Sequence, residues 1–232
     1  MNLLTFNGQG FAEYNAQILR SDFLKGAERD VSSFSVLGRS GDLIADNGRF
    51  KNVSYNVMLG IKGDMKLNLD LMRSFLASCK GYCRYEESDS PDEYRMAEYH
   101  HMFTPDQYDH QNATIKLQFN MKPQRFLVSG ESWTSFTANG TITNPTLQTA
   151  LPVIRVYGTG SFTIGSVTVT IASNPYDYID IDCDIMLPHY GALSAREYVT
   201  TTNHDYPELV PGDNGIQLDG VTLDIMPRWF EI

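Results

Sequence analysis

Arginine and lysine almost vanish from the second part of this 232-residue chain: residues 129–232 hold 3 of them against 12 acids, a balance of −9. Such a surface repels phosphate, which excludes a sequence-specific DNA binder. Residues 1–128 hold 15 basic and 16 acidic side chains, a balance of −1, and the contrast predicts two folding units with different surroundings. Cysteine is equally scarce. Cys79, Cys83 and Cys183 are odd in number and form no CxxC, so neither a disulfide framework nor a zinc site is indicated, and all three are expected reduced and mostly buried. No run approaches the roughly 20 apolar residues of a membrane span. The start MNLLTFNGQGFAEYNAQ lacks the basic and long apolar segments of a signal peptide, so synthesis in the cytoplasm is expected. A G-x-S-x-G elbow and an H-E-x-x-H pair are both missing, and no catalytic constellation stands out.

What is present favours strands. Tyr (13) and Phe (12) are generous, and Thr and Val cluster late. The stretch VLGRSGDLI at 36–44 contains a Gly-x-x-Gly that could cradle a phosphate, but no helix and no lysine follow. It runs instead into an alternating strand at 53–59. Gly38 and Gly41 then supply positive φ at a tight turn, with Arg39 and Ser40 at its tip and a second turn at Asp46, Asn47 and Gly48.

One segment reads as helix, 68–79, with Leu71, Met72, Phe75 and Leu76 as its apolar stripe and Asn68 or Asp64 as its cap. A hairpin follows, 82–85 returning over 94–103, and then the regular alternation of 113–121. Pro123 breaks that pattern, and the composition changes near Ser129, which places a boundary between domains 1–129 and 130–232. Beyond Trp133 the chain offers short alternating runs at 141–143, 153–157, 162–164, 167–171, 179–187 and 221–225. Their spacing predicts an antiparallel β-sandwich or barrel.

The sharpest chemical candidate is YIDIDCDI at 178–185. Period 2 puts Asp180, Asp182 and Asp184 on one strand face, about 6.5–7 Å apart, and Ile179, Ile181, Cys183 and Ile185 on the other. A solvated strand face is the first reading, a calcium site the second, and a glycosidase carboxylate pair the third. Asp213, Asn214 and Gly215 read as a turn, since the calcium-loop pattern fails there. His100 and His101, as strand neighbours, point to opposite faces, while His110, His189 and His204 lack ligand spacing. Trp133, Trp229, the tyrosines and the acidic face leave a carbohydrate-binding module open as an alternative function.

Taken in order, these pieces resemble the distal tail protein family of long-tailed bacteriophages. The likeness runs through FNG at 6–8, VLGRSG at 36–41, GRF at 48–50, the helix ending near Phe75, YRMA at 94–97, and FNMKPQRFL at 119–127 with SGE at 129–131. It continues through YIDID at 178–182, YPELVPGDNGI at 206–216 and MPRW at 226–229. The resemblance implies a mainly β chain: an N-terminal ring-forming β-sandwich domain with one α-helix, then a galectin-like antiparallel β-sandwich. It further implies a homohexameric hub, not an enzyme, joining the tail tube to the tail tip or baseplate, and so residence in the virion. Its partners would be the tube protein, the tip protein, the tape measure protein and receptor-binding proteins, with no cofactor, no metal and no membrane. Arg39, Ser40 and Asp42 become candidate inter-subunit contacts. The strands from 133 to 232 follow too closely for an inserted arm or carbohydrate module.

Overall fold

Strict alternation organises the first half of the chain. The computed structural model describes residues 2–101, 103, 105–109 and 111–232, and these form two compact units, one running to Arg125 and one from Phe126 to Glu231. In chain order the first unit contains β1 (Leu4–Phe6), β2 (Gln9–Gly10), β3 (Ala16–Ser21), β4 (Arg29–Phe34), β5 (Leu43–Phe50) and β6 (Val53–Lys62). Helix α1 (Met65–Ser78) follows, then β7 (Cys83–Glu87), β8 (Glu93–Glu98), β9 (Pro105–Tyr108) and β10 (Asn112–Leu127). Its main sheet has the order β2-β1-β7-β8-β10-β6-β3, with β9 also on β10; β4 and β5 make a separate two-stranded sheet.

At the centre, β6 and β10 pair antiparallel from Asn112↔Lys62 to Met121↔Val53. Every second residue from Val53 to Ile61 and from Ala113 to Met121 is buried, which is how a sheet with one covered face distributes its side chains. The cover is α1. Asp64 caps it by accepting the Leu67 N–H at 3.2 Å, and Leu69, Met72 and Leu76 are buried, with Phe75 edge-on to Phe6 and Phe11. Met72, Phe75 and Leu76 thus face the core as expected, but Leu71 is 48% exposed and Leu69 is buried instead. Glu87, buried in this unit, accepts hydroxyl hydrogen bonds from Ser21, Tyr55 and Tyr85. A carboxylate so satisfied is tolerated inside a core and fixes its neighbours.

Two expectations fail here. Pro123 does not end the strand, because the β6 register has already stopped at Met121 and no β6 carbonyl awaits a proline N–H. The return strand ends at Glu98 rather than 103; Met102, inside that expected span, lies outside the described residues.

The second unit holds β11 (Thr134–Phe136), β12 (Gly140–Asn144), β13 (Val153–Ile164), β14 (Val167–Ile171), β15 (Ile179–Asp182) and β16 (Leu187–Tyr190). Then come β17 (Leu193–Ser194), β18 (Val199–Thr201), β19 (Gly212–Met226) and β20 (Phe230–Glu231). The long strands β13 and β19 pair with each other throughout, broken by a register shift between Gly158 and Ser161. On one side of the shift they carry β11, β15, β16 and β17; on the other, β12, β14 and β18. Both halves turn their alternating residues onto one core, with Ile142, Val169 and Ile171 from one and Ile154, Ile181 and Ile225 from the other. The result is sandwich-like, with two strands bent across the corner.

Glycine makes that corner. Gly158, Gly160 and Gly220 have φ of +87°, +143° and +77°, and a Cβ on Gly160 would lie 2.1 Å from the Asp219 carbonyl oxygen. What reads in sequence as separate runs at 153–157 and 162–164 is thus one strand with a bulge. Likewise Asn214 is not in a turn but buried within β19, where its amide donates to the Val210 and Gly212 carbonyls.

Candidate functional site

No residue of the β4–β5 hairpin's two strands is buried. Its register runs from Phe34↔Leu43 through Val31↔Asp46, then skips so that Asn47, Gly48 and Arg49 face the single Asp30. Sequence reading placed a second turn at Asp46, Asn47 and Gly48. The structure shows a bulge inside β5 instead, with Gly48 at φ +72° and its N–H donated to Asp46 Oδ1 at 2.8 Å. Gly38 and Gly41 do take positive φ, +77° and +83°, in the connecting loop.

A hairpin with only two strands is marginal in water, and here side chains pin it. Arg49 Nε donates to Asp30 Oδ2 at 2.7 Å, Arg29 Nη1 to Asp46 Oδ2 at 2.7 Å, and Ser33 Oγ to Asp42 Oδ2 at 2.9 Å. The Arg49 hydrogen bond holds the Asp30 carboxyl below its ordinary range; for Asp46 the Gly48 N–H is the larger cause and Arg29 the next. Arg29 also lies over the Phe50 ring, 5.0 Å from its centroid.

Apolar side chains nevertheless project from both faces. Phe34 and Leu43, cross-strand partners on one face, are 57% and 43% exposed, while Ile44 on the other is 71% exposed. Leu37 in the loop is fully exposed. Arg39, Ser40 and Asp42 follow it in the loop, all exposed. Exposed large apolar side chains are thus concentrated on this hairpin.

The aspartate row does not form. Strand β15 ends at Asp182, so Asp184 sits in the following turn, exposed, and Ile185 is 59% exposed. Asp180 is buried and accepts two hydrogen bonds from Arg155, at 2.7 and 2.9 Å, from the adjacent strand β13. Those bonds hold the Arg155 charge on; the guanidinium is also stacked over Tyr178 at 4.0 Å and Trp133 at 5.0 Å. Asp182 accepts from Arg228 at 2.6 Å. Burial by itself would raise its carboxyl, but the Arg228 bonds and charge, with the Asp184 and Ile185 N–H groups, prevail and lower it. The solvated-face reading is corrected accordingly for Asp180 and Asp182: Arg155 meets Asp180 across the β13–β15 ladder, and Arg228 reaches Asp182 from the segment after β19.

His100 and His101 lie beyond the end of β8, with ring centroids 4.1 Å apart, not on opposite strand faces. His189 Nδ1 lies 3.1 Å from the Gly191 carbonyl oxygen, and His204 follows the short β18. His110 lies outside the described residues. Among the described residues no group of three or more His, Cys, Asp or Glu is placed to hold a metal ion. Cys83 and Cys183 are buried, Cys79 partly so. No helix of the described residues is long and apolar enough to cross a membrane.

No family model matches the chain, and no curated protein does. Solved structures do. The Dit protein of phage SPP1, described as a paradigm of the hub adsorption apparatus in phages infecting Gram-positive hosts, superimposes with a TM-score of 0.77 over 100% of both chains at 11% identity. A chain of the phage P2 baseplate in its activated conformation matches with TM-scores of 0.54 with calcium and 0.56 with strontium. Each of those matches covers 97% of both chains at 9% identity. Over its whole length, then, this mainly β chain with one helix has the fold of the SPP1 Dit protein.

Proposed function

We propose that this chain is a structural hub protein at the distal end of a phage tail, a ring of six copies joining the tail tube to the tip or baseplate. The observation that carries the reading is the end-to-end superposition on SPP1 Dit, with neither chain left over. In this reading residues 1–129 form the ring, and residues 130–232 are a galectin-like sandwich turned toward the host-adsorption apparatus. The near-neutral charge of the first domain suits a channel that passes DNA, because a dense cationic wall would bind each phosphate through counterion release. The protein would be made in the bacterial cytoplasm and reside in the virion, touching tube, tip and tape measure proteins and receptor-binding proteins.

The hairpin supports the assembly. Arg39, Ser40 and Asp42 at its tip, with Phe34, Leu37 and Ile44, form a heterologous contact that rotation can close into a ring. The test is particle mass and shape of the purified protein, alone and mixed with its tube and tip neighbours, by light scattering and negative-stain imaging. Rings of six are expected. A monomer at high concentration with both neighbours present would refute the proposal.

A further inference from the structure

Two of the three thiols meet at one corner of the first unit. Helix α1 ends at Ser78, and Cys79 leaves it in extended backbone at φ −73°, ψ 128°. After Lys80, Gly81 and Tyr82 the chain enters β7 at Cys83. Gly81, at φ +66°, makes the turn between them. The Cys83 Sγ lies back under that turn, 3.8 Å from the Lys80 carbonyl oxygen and 3.9 Å from that of Gly81. The two thiols are thereby within hydrogen-bond reach of one another, and burial first, then the neighbouring Cys79, pushes the Cys83 thiol up.

The two sulfurs differ in access. Cys83 is 8% exposed and belongs to the apolar core. Cys79 lines a cleft of about 470 Å³ with Arg73, Leu76, Tyr99, His100 and Phe103, among others, and its Sγ accepts a hydrogen bond from Asn7 Nδ2 at 3.7 Å on the exposed side. A cleft of this size admits a small molecule. An accessible sulfur backed by a buried second one is the arrangement that exchanges with a disulfide, because the first can attack and the second resolve. Cys183 is buried in the core of the second unit and serves as the internal comparison.

We propose that Cys79 and Cys83 form a reversible disulfide that ties the end of α1 to the start of β7, with a low-molecular-weight disulfide such as oxidised glutathione as the oxidant. The Cys79 thiolate attacks one sulfur of that molecule, its S–S bond breaks, and one small thiol leaves with the proton that Cys79 gave up. Cys83 then attacks the Cys79 sulfur of the mixed disulfide, and the second small thiol leaves with the Cys83 proton. The protein loses two electrons and two protons, and the small disulfide gains both. Because α1 covers the main sheet of its unit, the bond fixes that cover at its C-terminal end. The setting rests on the hub reading: a chain made in a reducing cytoplasm and carried outside it in a virion folds with free thiols and closes the bond after release.

The full-length protein, reduced and then held in oxidised glutathione at about pH 8, is read by mass spectrometry of the intact chain and of its peptides. Loss of two hydrogens is expected, with Cys79 linked to Cys83, Cys183 still a thiol, and full reversal by dithiothreitol. Cys83→Ser should stop at the mixed disulfide and hold one glutathionyl group on Cys79, whereas Cys79→Ser should hold none. Thermal loss of the helical circular dichroism, carried by α1 as the one α-helix among the described residues, should move up by about 5 °C in the oxidised protein. The proposal is overturned if Cys79 and Cys83 remain thiols, if the parent accumulates the mixed disulfide, if Cys79 links instead to a second copy, or if oxidised and reduced proteins melt alike. Particle mass, measured on the same samples, reports separately on the hub.

Discussion

Replacing Gly160 by alanine tests how the second unit turns its corner. Two costs add. The backbone at φ +143° is one that side chains rarely adopt, worth about 1–3 kcal/mol. The new Cβ would also lie 2.1 Å from the Asp219 carbonyl oxygen, a backbone atom held in the β13–β19 ladder, and relieving such overpacking costs about 1–3 kcal/mol more. A loss of about 4 kcal/mol, in a unit of this size, corresponds to a fall of about 16–30 °C in melting temperature. Gly165→Ala is the matched control: φ there is +61°, but nothing lies within 4 Å of its Cβ, so only about 1 kcal/mol is expected. Both tryptophans belong to the second unit, so thermal unfolding followed by their fluorescence reads that unit selectively. Equal losses for the two variants, or a Gly160→Ala protein melting within about 2 °C of the parent, would refute the argument, since 2 °C is about half a kcal/mol.

Three further outcomes can be checked. Because the folded Asp182 carboxyl is lowered, its contribution is complete above the ordinary carboxylate pKa and disappears as pH falls through the lower folded value. Urea midpoints should therefore drop below about pH 4, and Asp182→Asn should cost about 1–3 kcal/mol at pH 7 while making that drop shallower. Burial pushes the Cys183 thiol up to about 12 and raises that of Cys83 too, so at pH 8 a thiol reagent should label Cys79 quickly and Cys183 only as the protein unfolds; mass spectrometry of the labelled peptides decides. Leu37→Ser with Ile44→Ser should shift ring-sized particles to monomer while altering stability by under about 1 kcal/mol, as befits exposed positions; persistence of rings in light scattering would remove the hairpin from the interface.

Much of this protein was legible in one dimension, because alternation and turn chemistry are local. The buried sets of β6 and β10, the one α-helix among the described residues, with Asp64 as one of its two candidate caps, and the positive-φ glycines at 38 and 41 all follow from residues within a few positions of one another. The charge contrast between the two parts is also written in the chain alone. What escaped such reading depends on pairing between distant strands. Asp180 and Asp182 looked like a solvated row until β13 and the segment after β19 brought Arg155 and Arg228 against them. On the helix only Leu71 was misplaced, exposed where Leu69 is buried, because the sheet beneath sets which edge of the apolar stripe is covered. Gly158 and Gly160 stand some 60 residues from Gly220 in sequence, and only the pairing of β13 with β19 turns them into one corner. A residue's own pattern sets which way it can face; what it meets there is set by chain that arrives from elsewhere.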